Sequence, residues 1–266
     1  MRRRARILVV LAAAVACGAL LFIPAKVGAA ALAHRAGAPS LREPATTSGT
    51  AQAFSGVAAV GALFTVSGGV LGKHFCTASV VHSARGDLAV TAAHCVTGVP
   101  GQVVFVPGYF RGKQPYGAWP VTAVYTSPAW QASQDPDDDV AFLRLADAPG
   151  RVPVENVTGA ERLVTGRQQP ALVQVIGYPN TADQPVSCAN WTKSFSPTQL
   201  EFDCGGYTDG TSGSPFLTDV SPATGQGTLI GLIGGYQQGG NTPEVSYTSA
   251  FGPAVTALYQ QAAAGG

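Results

Sequence analysis

Short apolar runs separated by glycine and proline dominate the chain from residue 56 onward. The runs contain six to eleven residues and are rich in valine, leucine, phenylalanine and tyrosine. Runs of this length, interrupted this often, predict short antiparallel strands folded into barrels or sandwiches. They lie at residues 57–66, 74–81, 88–96, 102–110, 119–126, 140–145, 171–179, 194–204, 214–220, 227–236 and 244–251.

The alternation of apolar runs and breakers becomes less regular near residues 146–166, and this stretch separates the predicted strands into two series. We therefore predict one β domain over residues 56–150 and a second over residues 151–266. Residues 253–263 begin with a proline and then favour helix. This predicts a helix at the C-terminal end of the second domain, because proline is well accommodated in the first turn of a helix.

The N-terminal region has the composition of an export signal. Four arginines lie within the first six residues, an uncharged apolar run follows at residues 7–23, and small residues continue to Ala33. This order predicts a signal peptide over residues 1–33 and a secreted protein. The apolar run is near the shortest membrane span, so an uncleaved anchor through residues 7–23 is the alternative. Residues 34–55 are rich in alanine, serine, threonine and proline and are predicted to be a linker or propeptide.

Charge is sparse and balanced along the chain. Sixteen basic and fifteen acidic residues leave a net charge of +1, and only 12% of the 266 residues are charged. A near-neutral protein has no global field that attracts nucleic acid or anionic lipid. We therefore expect no nucleic-acid partner and, once the signal is removed, no membrane partner. We also expect a monomer.

Four cysteines remain when Cys17, inside the apolar N-terminal run, is set aside. An even number in an exported chain predicts two disulfides, for which three pairings exist. We predict Cys76 with Cys95 and Cys188 with Cys204, because each pair closes a short local loop. A zinc site is the alternative, but no pair of cysteines has the spacing of a zinc motif and the histidines are scattered, so we predict no metal.

Three residues in separate parts of the chain suggest nucleophilic catalysis. Ser212 lies in a stretch of glycine and hydroxyl residues at 205–216, where the backbone can turn sharply. A serine attacks a carbonyl only when a base accepts its proton. His94 follows an apolar run and precedes Cys95, and Asp139 ends an acidic run just before another strand. These positions suit a base and the carboxylate that orients it.

The same segments resemble motifs of the chymotrypsin/trypsin-like serine protease family. HFCTASVV at 74–81 resembles the family's HFCGGSLI strand, and VTAAHC at 90–95 matches its histidine motif. DVAFLRL at 139–145 resembles its DIALL-type strand, and GTSGSP at 210–215 stands where GDSGGP is usual. The motifs occur in the family's order of histidine, aspartate and serine, and the resemblance extends from about Gly56 to Tyr259.

This resemblance implies a fold, an activity and a set of roles. The fold would be two antiparallel six-stranded β-barrels with the catalytic residues in the cleft between them. Ser212 would be the nucleophile, His94 the general base and acid, and Asp139 the residue that orients His94. The backbone amides of Gly210 and Ser212 would form the oxyanion hole. The implied enzyme is a serine endopeptidase that acts on peptides or proteins through an acyl-enzyme intermediate and needs no cofactor.

Two departures from the family motif affect activation and specificity. Thr211 replaces the usual aspartate before the serine, so the ion pair between that aspartate and a new N-terminal ammonium cannot form. The GTSGSP form is similar to that of glutamyl endopeptidases. Ile233 stands about where those enzymes have a pocket histidine, so we do not expect a preference for glutamate.

The resemblance also places the substrate pocket. A preference for lysine or arginine requires a carboxylate six residues before the serine, and that position is a glycine. A bulky tyrosine near the pocket would shorten it and favour small or medium apolar side chains. The predicted substrate-binding residues are Gly206, Asp209, Gly234, Gly235 and Tyr236.

A catalytically silent protease-fold module that binds partners at the cell surface is the alternative function. Degenerate members of the family commonly lose the serine or the histidine. Both residues stand in intact motifs here, which favours the enzyme.

Overall fold

A computed structural model of the chain describes residues 49–97, 102–147, 152–166 and 169–265. The predicted signal peptide or anchor lies outside these ranges. The described residues form antiparallel β structure with few helices and a helix at the C-terminal end, which confirms the predicted fold class. In these ranges, no helix has the length and apolar character needed to cross a membrane.

The first half of the chain is a closed barrel of six antiparallel strands, in the order β3-β4-β5-β8-β7-β6. Strand β4 pairs with both β3 and β5, and β8 pairs with both β5 and β7, so the barrel has no free edge. The strands are β3 (Val60–Ser67), β4 (Val70–Val81), β5 (Leu88–Thr91), β6 (Val103–Pro107), β7 (Trp119–Thr126) and β8 (Ala141–Leu145).

Several barrel strands bury both faces, which explains their continuous apolar runs. In β5, Ala89 belongs to the cluster that fills the barrel, whereas Leu88 and Val90 belong to a second cluster on the outside. That outer cluster also contains Leu217 and Leu229 from the second half of the chain. Each such side chain contributes about 1.5–3 kcal/mol on burial. The two halves therefore share one apolar core.

The second half forms a curved nine-stranded sheet. Six main strands follow the order β15-β12-β11-β10-β13-β14, and the two ends of this series meet where the Leu232 amide donates to the Thr248 hydroxyl over 2.8 Å. The strands of this half are β9 (Arg162–Leu163), β10 (Leu172–Gly177), β11 (Val186–Ser194), β12 (Gln199–Gly205), β13 (Pro215–Thr218), β14 (Thr228–Leu232) and β15 (Val245–Ser249).

Three α-helices are present in the described ranges: α1 (Pro128–Ser133), α2 (Glu155–Thr158) and α3 (Pro253–Ala264). Helix α3 begins with the expected proline and buries Val255, Leu258 and Ala262 against the shared core. The guanidinium of Arg144 on β8 donates to the Ala262 carbonyl over 2.7 Å. A cation at this position is favourable, because the last carbonyls of a helix carry partial negative charge.

The end of the predicted linker is part of the fold. Residues 49–53 contain two short strands, β1 (Gly49–Thr50), which pairs in parallel with β12, and β2 (Gln52–Ala53), which pairs with β11. A Cβ atom on Gly49 would lie 3.0 Å from the sulfur of Cys188, so this segment lies directly over a disulfide. Backbone hydrogen bonds hold this segment in place, and Ala51 packs against the apolar core of the second half.

Both predicted disulfides are confirmed. Cys76 on β4 is bonded to Cys95, and Cys188 on β11 is bonded to Cys204 on β12. The first bridge fixes the turn after β5, and the second joins neighbouring strands of the second sheet.

Candidate active site

His94 and Asp139 form a hydrogen-bonded pair at the edge of the first barrel. His94 lies in a 3-10 turn (Ala93–Val96) that follows β5, and Asp139 lies just before β8. The His94 ring nitrogen Nδ1 is 2.7 Å from Asp139 Oδ2, and the His94 backbone amide donates to Asp139 Oδ1 over 2.9 Å. Because a carboxylate only accepts hydrogen bonds, Nδ1 carries the proton in the neutral form of the His94 ring.

Asp139 is completely buried and receives a third donor from the other half of the chain. The amide of Gly235 donates to Asp139 Oδ2 over 3.0 Å. A buried carboxylate is costly unless hydrogen bonds compensate for lost water. Three N–H donors supply that compensation, so the carboxylate is held in one orientation towards His94.

Ser212 lies on a loop that packs against the strand leading to His94. The amide of Thr77 donates to the Ser212 carbonyl over 2.8 Å, and the Gly213 amide donates to the Ile233 carbonyl over 2.7 Å. A Cβ atom on Gly213 would lie 2.1 Å from the Thr77 carbonyl oxygen and 3.1 Å from the Ala92 amide. Glycine is required here, and its close approach brings Ser212 to the turn that carries His94.

The Ser212 hydroxyl and the His94 ring form no hydrogen bond in the part of the chain that the structure describes. Such contacts are often long in substrate-free enzymes and shorten when substrate binds. The structure therefore joins His94 to Asp139 directly and brings the loop of Ser212 beside them.

Two backbone amides next to Ser212 have no acceptor. Within the described ranges, the N–H groups of Gly210 and Ser212 donate to no protein atom. Gly210 has a φ of +96°, and a Cβ atom there would lie 2.4 Å from the Asn180 amide. Only glycine fits this backbone conformation without strain. Two adjacent unpaired donors of this kind can bind an oxyanion.

A cavity of about 470 Å³ opens beside Ser212. Asp209 is the charged residue in its lining, and that side chain is exposed at the rim. Uncharged polar side chains form most of the remaining lining. The lining residues are Asn180, Thr181, Tyr207, Thr208, Asp209, Thr211, Ser212, Ile233, Gln238, Gly239, Gly240, Asn241, Thr242, Pro243 and Ser246.

The other predicted pocket residues lie around the cavity and outside its lining. Gly206 packs on the N-terminal segment, since a Cβ atom there would lie 3.4 Å from the side chain of Ala51. Gly234 and Gly235 lie against Asp139, at the back of the site. Tyr236 also lies outside the lining, so it does not shorten the cavity.

The Tyr236 ring is held by two other aromatic rings. It packs against Phe195 at 4.8 Å and Tyr247 at 5.1 Å between ring centroids. Nothing near residue 236 in the sequence indicates these two contacts, because Phe195 is 41 residues away. The loop residues of the lining, such as Asn180 and Asn241, also escape sequence reasoning because polar loops have no periodic pattern.

One group of potential metal ligands occurs in the described ranges, and it does not fit a metal. It consists of Cys76, His94 and Cys95. The two sulfurs are bonded to each other, so neither can bind a cation as a thiolate.

The sequence pattern of the trypsin family matches residues 48–251. The chain belongs to the trypsin family. This membership makes it a serine endopeptidase of trypsin-like fold. No curated protein sequence matches the chain significantly.

Solved structures of proteases share the fold of this trypsin-family chain. Protease Anisep from Arthrobacter nicotinovorans is 25% identical, with a TM-score of 0.68 over 81% of this chain and 100% of the other. The thermostable serine protease AL20 from an extremophilic microorganism is 24% identical, with a TM-score of 0.67 over 79% and 99%. A Glu endopeptidase is 14% identical, with a TM-score of 0.63 over 81% and 97%.

Proposed function

We propose that the chain is a secreted endopeptidase that cleaves peptide bonds through Ser212, His94 and Asp139. The observation that carries the proposal is the buried Asp139 carboxylate, which accepts hydrogen bonds from Nδ1 of His94 and from the Gly235 amide. In the neutral imidazole, this arrangement places the proton on Nδ1 and leaves the lone pair on Nε2. A group so placed can act as the base that activates a serine.

In the first half of the reaction, the Ser212 oxygen bonds to the carbonyl carbon of the substrate while its proton moves to Nε2 of His94. The carbonyl oxygen becomes an oxyanion and accepts hydrogen bonds from the amides of Gly210 and Ser212. The carbon–nitrogen bond then breaks, and His94 gives its proton to the departing amine. The product of this half is an ester between Ser212 and the acyl part of the substrate.

Water completes the reaction. His94 accepts a proton from the water molecule as its oxygen bonds to the ester carbon, and the same two amides bind the second oxyanion. The bond to Ser212 breaks, Ser212 recovers its proton from His94, and the acid product leaves. Each half of the reaction starts from neutral His94, because a protonated imidazole cannot accept a proton from the serine or from water.

The cavity beside Ser212 favours an uncharged side chain at the cleaved position. Its lining includes Ile233, Tyr207 and Pro243 among uncharged polar groups, and its carboxylate, Asp209, is exposed to water at the rim. A peptide library should therefore give a profile of uncharged residues. Cleavage dominated by lysine, arginine or glutamate would contradict this specificity.

Export through residues 1–33 accounts for the two disulfides, which persist in oxidising compartments. We expect the exported protein to begin after Ala29 and no later than Gly49, because β1 and β2 belong to the folded domain. N-terminal sequencing of the protein in the medium tests this expectation. Recovery of the intact N-terminus in the membrane fraction would support the anchor instead.

The test of the chemistry is covalent labelling. A phosphonate that reacts with activated serines should label the purified wild type and fail to label Ser212→Ala. Ser79→Ala is the control, because Ser79 is a buried serine on β4 that lies outside the serine loop and outside the cavity lining. It should remain labelled. Equal labelling of Ser212→Ala and the wild type, or no labelling of the folded wild type, would contradict the proposed mechanism and favour a silent binding module.

A further inference from the structure

Thr77 connects the first barrel to the loop of Ser212 through both its backbone and its side chain. It lies near the end of β4 and is completely buried. Its backbone amide donates to the Ser212 carbonyl over 2.8 Å. Its hydroxyl donates to the Gly210 carbonyl over 3.1 Å and accepts from the Tyr178 amide over 2.9 Å. The hydroxyl thus uses its proton and a lone pair on two backbone groups of the second half.

A hydrogen bond to a backbone carbonyl also fixes the direction of the N–H group in the same peptide plane. In a trans peptide the N–H points opposite to the C=O of the preceding residue. The Asp209 carbonyl accepts from the Asn180 amide over 2.7 Å, and this bond directs the N–H of Gly210. The Thr211 carbonyl accepts from the Ser214 amide over 3.0 Å, and this bond directs the N–H of Ser212.

Of the four carbonyls from Asp209 to Ser212, the other two are held by Thr77. Its hydroxyl binds the Gly210 carbonyl, and its amide binds the Ser212 carbonyl. Gly210 has a positive φ, and glycine is the residue whose flanking peptides reorient at the lowest cost. The peptide that follows Gly210 is therefore the point of the loop that reorients most easily. Its N–H donates to the Thr208 carbonyl over 3.1 Å within the loop, and its carbonyl is held from outside by the Thr77 hydroxyl.

Two residues that depart from the family motifs lie at the contact between the Thr77 hydroxyl and the Gly210 carbonyl. Thr77 stands where HFCGGSLI has its first glycine, and Thr211 stands where GDSGGP has aspartate. Without that aspartate, no ion pair can hold the loop. The Thr211 hydroxyl donates instead to the Thr208 carbonyl over 2.7 Å, within the loop itself. The Thr77 hydroxyl supplies the side-chain restraint that comes from outside the loop.

We infer that Thr77 is a positioning residue, whose hydroxyl fixes the peptide between Gly210 and Thr211 and thereby sets the relative orientation of the two flanking oxyanion-binding amides, those of Gly210 and Ser212. This inference rests on the proposed function, because it assigns those amides to the oxyanion of a serine protease reaction. Thr77 itself does not contact the substrate. It acts through the Gly210 peptide.

The test replaces the hydroxyl while keeping the shape of the side chain. Thr77→Val should lower kcat about 10-fold to 100-fold, less than the loss of a whole oxyanion donor, and change KM less than about threefold. Affinity for a peptide aldehyde, which forms a tetrahedral adduct with the serine, should fall in proportion to kcat. Thr77→Ser keeps the hydroxyl and should retain wild-type kcat within about threefold.

Thr192→Val is the matched control for burial. The Thr192 hydroxyl on β11 is also buried and also bridges a backbone amide and a carbonyl, both of Ala171. It lies outside the cavity lining and the serine loop. Both valine variants should lower the melting temperature, because each leaves buried backbone groups unpaired. Only Thr77→Val should lower kcat and aldehyde affinity.

The outcomes separate this inference from the proposed function. A folded wild type that neither cleaves peptides nor reacts with the phosphonate would refute both. An active wild type with unchanged kcat in Thr77→Val, or with the same loss in Thr77→Ser or Thr192→Val, would refute the positioning role alone. If Thr77→Val does not fold, Thr77→Ala provides the kcat measurement. If both fail to fold while Thr192→Val folds, Thr77 is structural and the inference is wrong.

Discussion

At the scale of single residues, the environment of Asp139 explains why its charge can be buried. Removing a carboxylate from water costs several kcal/mol, which the protein recovers only through good hydrogen bonds. Asp139 has three, two from His94 and one from Gly235. A substitution that replaces the Asp139 carboxylate with a hydrogen-bond donor therefore disturbs both the orientation of the His94 imidazole and the hydrogen bond from Gly235.

Replacing Asp139 by asparagine should lower kcat by about 10⁴-fold, as the loss of the orienting carboxylate does in this kind of triad. The amide group would present a donor to a donor, and the imidazole would lose the tautomer that leaves Nε2 free. Steady-state kinetics on a peptide substrate measures the effect. Asp138→Asn is the matched control, because its half-buried carboxylate lies one residue away and makes no hydrogen bond to His94 in the described part of the chain. If Asp138→Asn were the more damaging change, the assignment of Asp139 would be wrong.

At the scale of structural elements, the two disulfides close loops of similar length in different surroundings. Cys76 and Cys95 are separated by 19 residues, and Cys188 and Cys204 by 16. On the loop-entropy account each contributes about 3 kcal/mol to the free energy of unfolding. The first bridge, however, is adjacent to His94 and anchors its turn. The second lies beneath the N-terminal segment, where Gly49 packs on it.

Removal of each disulfide by paired alanine substitutions should therefore lower stability by similar amounts and affect catalysis differently. Loss of the Cys76–Cys95 bridge should also lower kcat in protein that remains folded, because the turn of His94 loses its covalent anchor. Loss of the Cys188–Cys204 bridge should leave kcat near the wild-type value. Thermal unfolding and kinetics at a temperature where all proteins are folded would compare them. An equal loss of kcat in both pairs would contradict this distinction.

Comparison of elements also shows what the sequence could predict. Strands such as β5 and β8 were predictable because their apolar runs are local. The segments that carry His94, Asp139 and Ser212 were recognisable because each motif is contiguous. Strands β1 and β2 were not predictable, since two-residue polar strands held by backbone hydrogen bonds have no pattern. The position of Tyr236 depends on Phe195 and Tyr247, which are distant in the sequence.

At the scale of the whole molecule, Glu161 joins the two halves at a place remote in sequence from all three proposed catalytic residues. Its backbone amide donates to Val80 in the first barrel, and its carboxyl oxygen accepts from the Gly227 amide in the second half. Glu161 is completely buried, and no cation pairs with it in the described ranges. Burial raises the pKa of Glu161 to about 8, although the Gly227 hydrogen bond opposes this shift.

Stability should therefore decrease as pH rises from about 4.5 to about 8. In this window the folded protein keeps a proton on Glu161 that the unfolded chain has lost, so unfolding releases a proton and becomes easier as pH rises. The effect should be no larger than about 5 kcal/mol. Glu161→Gln should flatten this dependence in denaturant unfolding at pH 5, 6.5 and 8. The exposed Glu244→Gln should not alter it, and an unchanged profile in Glu161→Gln would refute the assignment.

The division of the site between the two halves also bears on how a cell can make this enzyme safely. His94 and Asp139 belong to a barrel that ends at Leu145, whereas Ser212 and Gly235 follow much later in the chain. Synthesis proceeds from the N-terminus, and the early domain can fold while the rest is still on the ribosome. That early domain contains the proposed base and orienting carboxylate and lacks the proposed nucleophile. Under the proposed function, cleavage requires both Ser212 and Gly235, so it can begin only after most of the chain has been synthesised.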